Sequence, residues 1–271
     1  MTTGAPPLQH LKQMAKATWM AGDFGEIARY NQEAGIAFVE RLGLTPGAKV
    51  LDVGCGTGNQ SLPAARKGAH VTAVDIAPNL LTQAAQRARA EKLDIEFREG
   101  DAEALPFGDD EFDVVMSAFA AIFAPRPEKV ALEFLRVCRH PGLIAMANIK
   151  PSSFIAAQFV VMARYAPPPK GFLPPVLWGD EAVVRQRFGP SVQIETTTQI
   201  MRMDLPFGVA EAVAHSRKHL GPIHMAFAGL DKEKQKGLEA DLLTLWSQYN
   251  KGDEHHTIVE NEYLEVHVRS Q

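Results

Sequence analysis

The sequence predicts an α/β fold built on a mostly parallel sheet, and three observations carry that expectation. Short apolar runs recur with helix-compatible stretches between them. The first run, Val50-Leu51-Asp52-Val53, opens into a glycine turn, Gly54-Cys55-Gly56-Thr57-Gly58. The second, from Ala69 to Val74, ends in a carboxylate, Asp75. Parallel strands covered on both faces read as near-continuous apolar runs of this kind.

Taken in order, residues 1–10 are expected to lack fixed structure. Residues 11–42 read as one or two helices interrupted around Gly22-Asp23-Phe24-Gly25, and Thr45-Pro46-Gly47 turns the chain into the first strand. Strands are expected at 49–53, 70–75, 95–99, 112–118 and 143–149, with helices at 60–67, 78–91 and 127–137. That alternation is the pattern of a sheet with helices on both faces. Arg139-His140-Pro141-Gly142 reads as the turn before the fifth strand. Alternation stops after residue 150. Ser152-Ser153 can cap a helix at 154–165 that is apolar nearly all round. Gly179-Asp180 precedes a helix at 181–188, and 191–204, rich in Thr and Ile, reads as a strand. A helical insertion at 208–250 and a Val-, Ile- and Tyr-bearing strand at 257–268 complete the chain.

With 271 residues and 46% hydrophobic content, the chain can bury one large core. It divides into segments 1–45, 46–150 and 151–271 within one structural unit. The formal net charge is −4 and no basic block occurs. That argues against a nucleic-acid partner, whose binding needs clustered Lys and Arg. The two cysteines, Cys55 and Cys138, fall in different predicted units and fit a reducing compartment better than a disulfide framework. Residues 1–10 lack the basic-then-apolar pattern of a secretory signal. No apolar stretch reaches the roughly 18–20 residues needed to span a bilayer. A cytoplasmic protein without membrane insertion is expected, and the sequence leaves monomer or homodimer open.

The turn itself discriminates between ligands. A dinucleotide fingerprint spaces its glycines Gly-x-Gly-x-x-Gly around a pyrophosphate, whereas here the third glycine comes one residue early. Asp52 adds a negative charge that would repel a pyrophosphate and suit an amine. These two features disfavour an NAD-dependent oxidoreductase. Asp75 can accept both hydrogen bonds of a ribose diol, and its spacing to Pro78 also suits the start of a helix. Asp101 can be a ligand or an ordinary loop carboxylate, while Asp109-Asp110-Glu111 reads as a solvated turn.

Leu51-Asp52-Val53-Gly54-Cys55-Gly56-Thr57-Gly58 resembles the first motif of the class I S-adenosylmethionine (SAM) methyltransferases. Asp75 matches that family's ribose-binding acid. Gly100-Asp101-Ala102-Glu103-Ala104-Leu105-Pro106-Phe107 resembles the segment whose Asp holds the adenine amino group. Phe112-Asp113-Val114-Val115-Met116-Ser117 is similar to the fourth strand, which ends at the reaction centre. The likeness runs from about residue 50 to 149 and is nearest to the ubiquinone/menaquinone-biosynthesis-like branch, which methylates small molecules. His140 stands where the family commonly has proline.

The resemblance implies a Rossmann-like seven-stranded sheet with an antiparallel edge hairpin and a helical cap, SAM as cofactor and S-adenosylhomocysteine (SAH) as product. It implies cofactor contacts from Asp52, Gly54, Cys55, Gly56, Gly58, Asn59, Gln60, Asp75, Ile76, Asp101, Ala102 and Ser117. Residues 1–45 would form a lid, in which Trp19, Phe24 and Tyr30 either shield the sulfonium by cation–π contact or fill the core. The acceptor pocket is expected above the fourth strand, lined by Phe119, Phe123, Phe154, Phe159, Met162, Trp178, His219 and Met225. The apolar helix at 154–165 can be pocket wall, dimer face or simple core.

His215 and His219 lie four apart on a predicted helix and share a face, with His224 in the next turn. They lack the Glu and third ligand of a zinc hydrolase pattern, so no metal is expected. A polar face of the cap is one reading, and a base that deprotonates the acceptor is the other. Ser117-Ala118-Phe119-Ala120 is not the Asp/Asn-Pro-Pro-aromatic box of nucleic-acid amino-methylating enzymes. Pro125-Arg126-Pro127 does not supply the acidic cluster of metal-dependent catechol enzymes. The expected function is in-line methyl transfer to an O, N, S or C atom of a small, partly apolar molecule, with proximity and water exclusion as the protein's main contributions. A SAM-binding regulatory protein without turnover remains the rival.

Overall fold

In a computed structural model of the chain, residues 6–270 are described. The N-terminal segment folds as α1 (Leu8–Met20), α2 (Phe24–Ala28), a 3-10 turn and α3 (Gln32–Arg41). The alternating core follows: β1 (Lys49–Val53), α4 (Ser61–Arg66), β2 (His70–Asp75), α5 (Pro78–Ala90), β3 (Ile95–Glu99), β4 (Phe112–Ala118), α6 (Pro127–Val137) and β5 (Cys138–Ile149). The remainder comprises α7 (Phe154–Tyr165), α8 (Glu181–Phe188), β6 (Val192–Leu205), α9 (Val209–His219), α10 (Gly221–Ala228), α11 (Lys232–Tyr249) and β7 (Thr257–Ser270).

The seven strands form one sheet in the order β3-β2-β1-β4-β5-β7-β6. The first five pair in parallel, and β7 runs antiparallel between β5 and β6. The period of two along β1 sorts its side chains. Leu51 and Val53 join a core with Val130, Phe134 and Val137 of α6, while Val50 packs with Phe38 and Val39 of α3. Phe134 and Val39 are fully buried.

The β6/β7 pair outruns its neighbour. β5 pairs with β7 only as far as Ile149 opposite Tyr263, but β6 and β7 stay paired to Leu205 opposite Thr257. This overhang carries Met203, Leu205 and Val259 into a third core with Phe154, Leu238, Leu242 and Trp246, which is the interior of the helical cap. Caps fix the helices that meet there. Ser153 Oγ accepts from Ala156 N at 3.2 Å, and Asp231 Oδ1 accepts from Lys234 N at 2.9 Å.

Three expectations are corrected. Residues 8–10 are already helical, while residues 1–5 lie outside the described residues. The N-terminal segment breaks into more pieces than one or two helices, because Asp23 starts a new one by accepting from Gly25 N at 3.1 Å. The stretch 139–142 is not a turn preceding the fifth strand but part of it. The register jumps from Phe112 opposite Cys138 to Val114 opposite Leu143, so the extra residues bulge out and stay exposed. Other boundaries agree within one or two residues. Among the described residues no helix is long and apolar enough to cross a membrane.

One close approach positions the N-terminal helices over the sheet. Asp23 N donates to the His219 carbonyl at 3.0 Å, and a Cβ built on Gly221 would lie 2.0 Å from the Thr18 carbonyl oxygen. The end of α1 therefore rests directly on the α9–α10 corner. Gly221→Ala is expected to cost about 1–3 kcal/mol, as overpacking does. For a chain of this length that lowers Tm by about 2–4 °C per kcal/mol, read by calorimetry. An unchanged Tm would show that the corner does not bear on α1.

Candidate functional site

A single cavity opens at the C-terminal ends of β1, β2 and β4, where ligands bind in open α/β sheets. One half is bounded by the glycine turn, Asp75, Ile76 and Gly100–Ala102. The other is bounded by Phe119, Phe123, α7, β6, α9 and Trp246, while Trp19, Phe24 and Tyr30 close it from the N-terminal side.

The turn is forced into shape by its surroundings. Gly54 has φ of +73°, and a Cβ there would fall 2.2 Å from that of Ala120, so only glycine lets the turn meet the loop after β4. Asp75 ties the turn down: its Oδ2 accepts from Gly56 N and its Oδ1 from Ala77 N, both at 2.8 Å. It thus makes a local turn ahead of α5, whose cap position is Ala77. Burial pushes the Asp75 carboxyl up, while the hydrogen bonds from Ala77, Gly56 and Ile76 N–H groups pull against that rise. Arg87, not anticipated from sequence, donates to the Thr57 carbonyl at 2.6 Å and to Asn59 Oδ1 at 2.8 Å. Asn59 in turn donates to the Ala28 carbonyl at 2.8 Å, joining turn to lid.

Asp52 is corrected most. It is fully buried and does not line the cavity. Alternation along β1 turns it away from Leu51 and Val53, toward the start of α4, where Ser61 Oγ donates to its Oδ2 at 2.5 Å. Its Oδ1 has no partner among the described residues. Burial drives its pKa up to about 7, the Asp75 charge adds to the rise, and Ser61 opposes it. Two more expected contacts also fall outside the cavity lining. Gly58 faces Leu62 and Ala84, and Ser117 Oγ donates to the Val53 carbonyl at 2.7 Å and accepts from Ala121 N, fastening β4 to β1. Gly54, Cys55, Gly56, Asn59, Gln60, Asp75, Ile76, Asp101 and Ala102 do line it.

Asp101 meets a partner from far away in sequence. Lys12 Nζ reaches Asp101 Oδ2 at 2.5 Å and Glu103 Oε2 at 2.7 Å, and Arg126 Nε holds the same Glu103 oxygen at 2.8 Å. Lys16 pairs with Glu99 one turn on. Hydrogen bonds and charge from Asp101 and Glu103 raise the Lys12 ammonium pKa despite the opposing desolvation, the largest contribution.

The aromatics of the N-terminal helices, Trp19, Phe24 and Tyr30, both pack and line. Trp19 meets Phe24 at 5.7 Å and Phe123 at 5.0 Å, and Phe123 meets Phe159 of α7 at 6.1 Å, all edge-on. Phe119 holds a left-handed φ of +57° at the end of β4, a strained conformation for a non-glycine residue, with its ring against Tyr263. Phe119, Phe123, Phe154, Phe159 and Met162 line the cavity as expected.

Trp178, His219, His224 and Met225 do not. Trp178 is buried under α8 against Phe188, with Arg187 over its ring at 4.4 Å. His224 and Met225 are exposed because α10 turns Ile223, Ala226 and Phe227 inward. His215 does line the cavity. Its Nε2 lies 3.2 Å from the Glu26 carbonyl, and its ring stands 5.9 Å from Tyr30 and 4.6 Å from His219. Burial, with lesser contributions from His215 and Lys218, lowers the His219 pKa. Missed were Lys12, Asn31, Gln158, Met201, Met203 and Trp246. Only the alternating Met201-x-Met203-x-Leu205 pattern carried a signal for any of them.

Residues 51–146 match the family described as a methyltransferase domain. An uncharacterised protein of Mycobacterium tuberculosis is 36% identical over 246 residues, covering 89% of this chain and 90% of its own. This chain belongs to the class I SAM-dependent methyltransferases. SAM is the cofactor of this enzyme. A demethylmenaquinone methyltransferase of Renibacterium salmoninarum is 38% identical over 116 residues, 43% of this chain and 47% of its own. The structure of a putative sarcosine dimethylglycine methyltransferase from Galdieria sulphuraria shares the fold, with a TM-score of 0.56 at 16% identity over 96% of this chain and 98% of that one.

Two predictions follow from the charges around the turn. An unfolded Asp titrates near 3.8 and native Asp52 at about 7, so the native state holds this proton more tightly. Its contribution to stability is present below about pH 4 and is lost as pH rises to about 7. Asp52→Asn removes that dependence, so the variant's Tm relative to wild type rises between about pH 5 and about pH 8. A constant difference would mean that Asp52 ionises normally. Lys12→Met should destabilise the chain by on the order of 1 kcal/mol at low salt, with the difference from wild type shrinking as salt is added. Salt-independent melting of the pair would argue against the ionic latch.

Proposed function

We propose that this enzyme transfers the methyl group of SAM to an O, N, S or C atom of a small, partly apolar molecule held in the same cavity. The observation that carries this reading is the continuity of that cavity. It joins the glycine turn, Asp75 and Asp101 to a half walled by Phe119, Phe154, Phe159, Met162 and Met203. The residues present fit the cofactor. Asp75 Oδ2 accepts from Gly56 N and Oδ1 from Ala77 N, and a carboxylate has lone-pair sites beyond these for a ribose hydroxyl. Asp101 lines the same half and suits the adenine amino group, and Asn31 Oδ1, buried with no partner among the described residues, is available to the amino-acid end.

When bound, SAM supplies an activated methyl on a sulfonium, so the chain's own work is alignment and exclusion of water. Residues 1–45 act as the lid, with Trp19, Phe24 and Tyr30 covering the cavity between core and cap. Where an acceptor must lose a proton, His215 is the group to take it. If its Nε2–H donates to the Glu26 carbonyl, Nδ1 keeps a free lone pair.

Calorimetric titration should show binding of SAH and none of NADH. Asp75→Ala should weaken SAH at least tenfold, as loss of hydrogen bonds to a charged acceptor does, while the exposed Asp109→Ala should not. A screen with radiolabelled SAM across small acceptors then reads turnover. NADH binding without SAH binding would sink the proposal, and SAH binding with no acceptor methylated would favour a regulatory role.

A further inference from the structure

Two residues that line the apolar half of the cavity each carry a buried polar atom with no partner among the described residues: the indole Nε1–H of Trp246 and the amide Oε1 of Gln158. Both side chains line the cavity, and they are only 2% and 4% exposed. They belong to one end of it. Trp246 packs edge-on to Phe154 at 4.8 Å, and Gln158 follows Phe154 by one helical turn on the same face of α7. Interiors rarely leave such a donor and such an acceptor unmade, because each has given up water and received nothing.

The charge around them points the same way. The lysine and carboxylates that line the cavity are Lys12, Asp75 and Asp101, all at the cofactor end, and Lys12 is already paired with Asp101. Among the described lining residues from α7, β6, α9 and α11 there is no Asp, Glu, Lys or Arg. A charged acceptor would be buried there against methionine, leucine and aromatic surface with His215 as its one ionisable neighbour among the described lining residues of those elements, at a large desolvation cost.

We infer that the acceptor is a neutral, mostly apolar molecule bearing a hydroxyl that is held between Trp246 and Gln158. The hydroxyl oxygen accepts the Trp246 N–H, and the hydroxyl proton is donated to Gln158 Oε1. This rests on the reading of the apolar half as the acceptor site, and it names what that site selects. Discrimination comes from the unpaired groups themselves: an analogue without the hydroxyl leaves both unsatisfied, and an anionic analogue adds an unpaired charge.

The test uses SAH-loaded full-length protein and three matched probes: 4-hydroxybiphenyl, biphenyl and biphenyl-4-carboxylate. SAH binding is measured first, so its failure overturns the methyltransferase site and not this inference. With SAH bound, 4-hydroxybiphenyl should bind about tenfold more tightly than biphenyl, and the carboxylate more weakly than either. Gln158→Met and Trp246→Phe should each erase most of the preference for the hydroxyl while leaving biphenyl affinity near wild type, which also reports an intact pocket. Gln158→Met keeps the length of the side chain and serves should Trp246→Phe disturb the cap. The inference is overturned if the carboxylate binds as well as the hydroxyl probe, if the variants weaken both neutral probes equally, or if no probe binds the SAH-loaded protein.

Discussion

One carboxylate holds the cofactor end of this enzyme together. Asp75 receives Gly56 N from the turn after β1 and Ala77 N from the start of α5, so a single side chain fixes the glycine turn relative to the next helix. Everything nearby is arranged around that anchor. Gly54 lets the turn press on Ala120, Arg87 holds the Thr57 carbonyl, and Asn59 reaches across to Ala28 of the lid. A turn of this shape has several backbone groups aimed outward and little freedom of its own, and that suits binding a flexible ligand in one conformation.

The cavity is electrostatically divided. Its ionisable wall groups other than His215 and Tyr30 cluster at the turn and at the loop after β3, while α7, the β6/β7 overhang and α11 contribute apolar surface. The division follows from topology. The β6/β7 pair continues past the end of β5, and its protruding Met203, Leu205 and Val259 are buried by the α9–α11 insertion and α7 folded against them. The cap is therefore a further hydrophobic core placed beside the sheet, and the apolar half of the cavity lies along its margin. Ion pairs from Lys12 to Asp101 and Glu103 then hold α1 across the polar half.

How much was legible from sequence varied along the chain for physical reasons. β1, β2 and β4 were read to the residue because their burial leaves near-continuous apolar runs, whereas the start of β5 was hidden by the bulge at 139–142. The cofactor end was legible because turn, strand end and loop are each local in sequence. Asp52 was misjudged in a specific way. Its charge beside the turn is visible in the sequence, but strand alternation carries it under the turn to Ser61 instead of into the cavity. Trp178, His219 and Met225 were expected in the pocket on residue type alone, but Trp178 packs against Phe188 of α8 and α10 turns Met225 outward. Phe154, Phe159 and Met162 were found because α7 is apolar enough that any inward face would serve.

By itself the sequence determined the α/β class, the glycine turn after β1, the carboxylate at the end of β2 and the membership of a SAM-dependent family, since each of these is written in contiguous residues. Only the tertiary structure decided what faces the acceptor. Lys12, Gln158 and Trp246 come from three separate elements, and none carries a local signal of its place in the cavity wall. The acceptor half is an intersection of helix phases and strand overhang, and such an intersection exists only once the chain has packed.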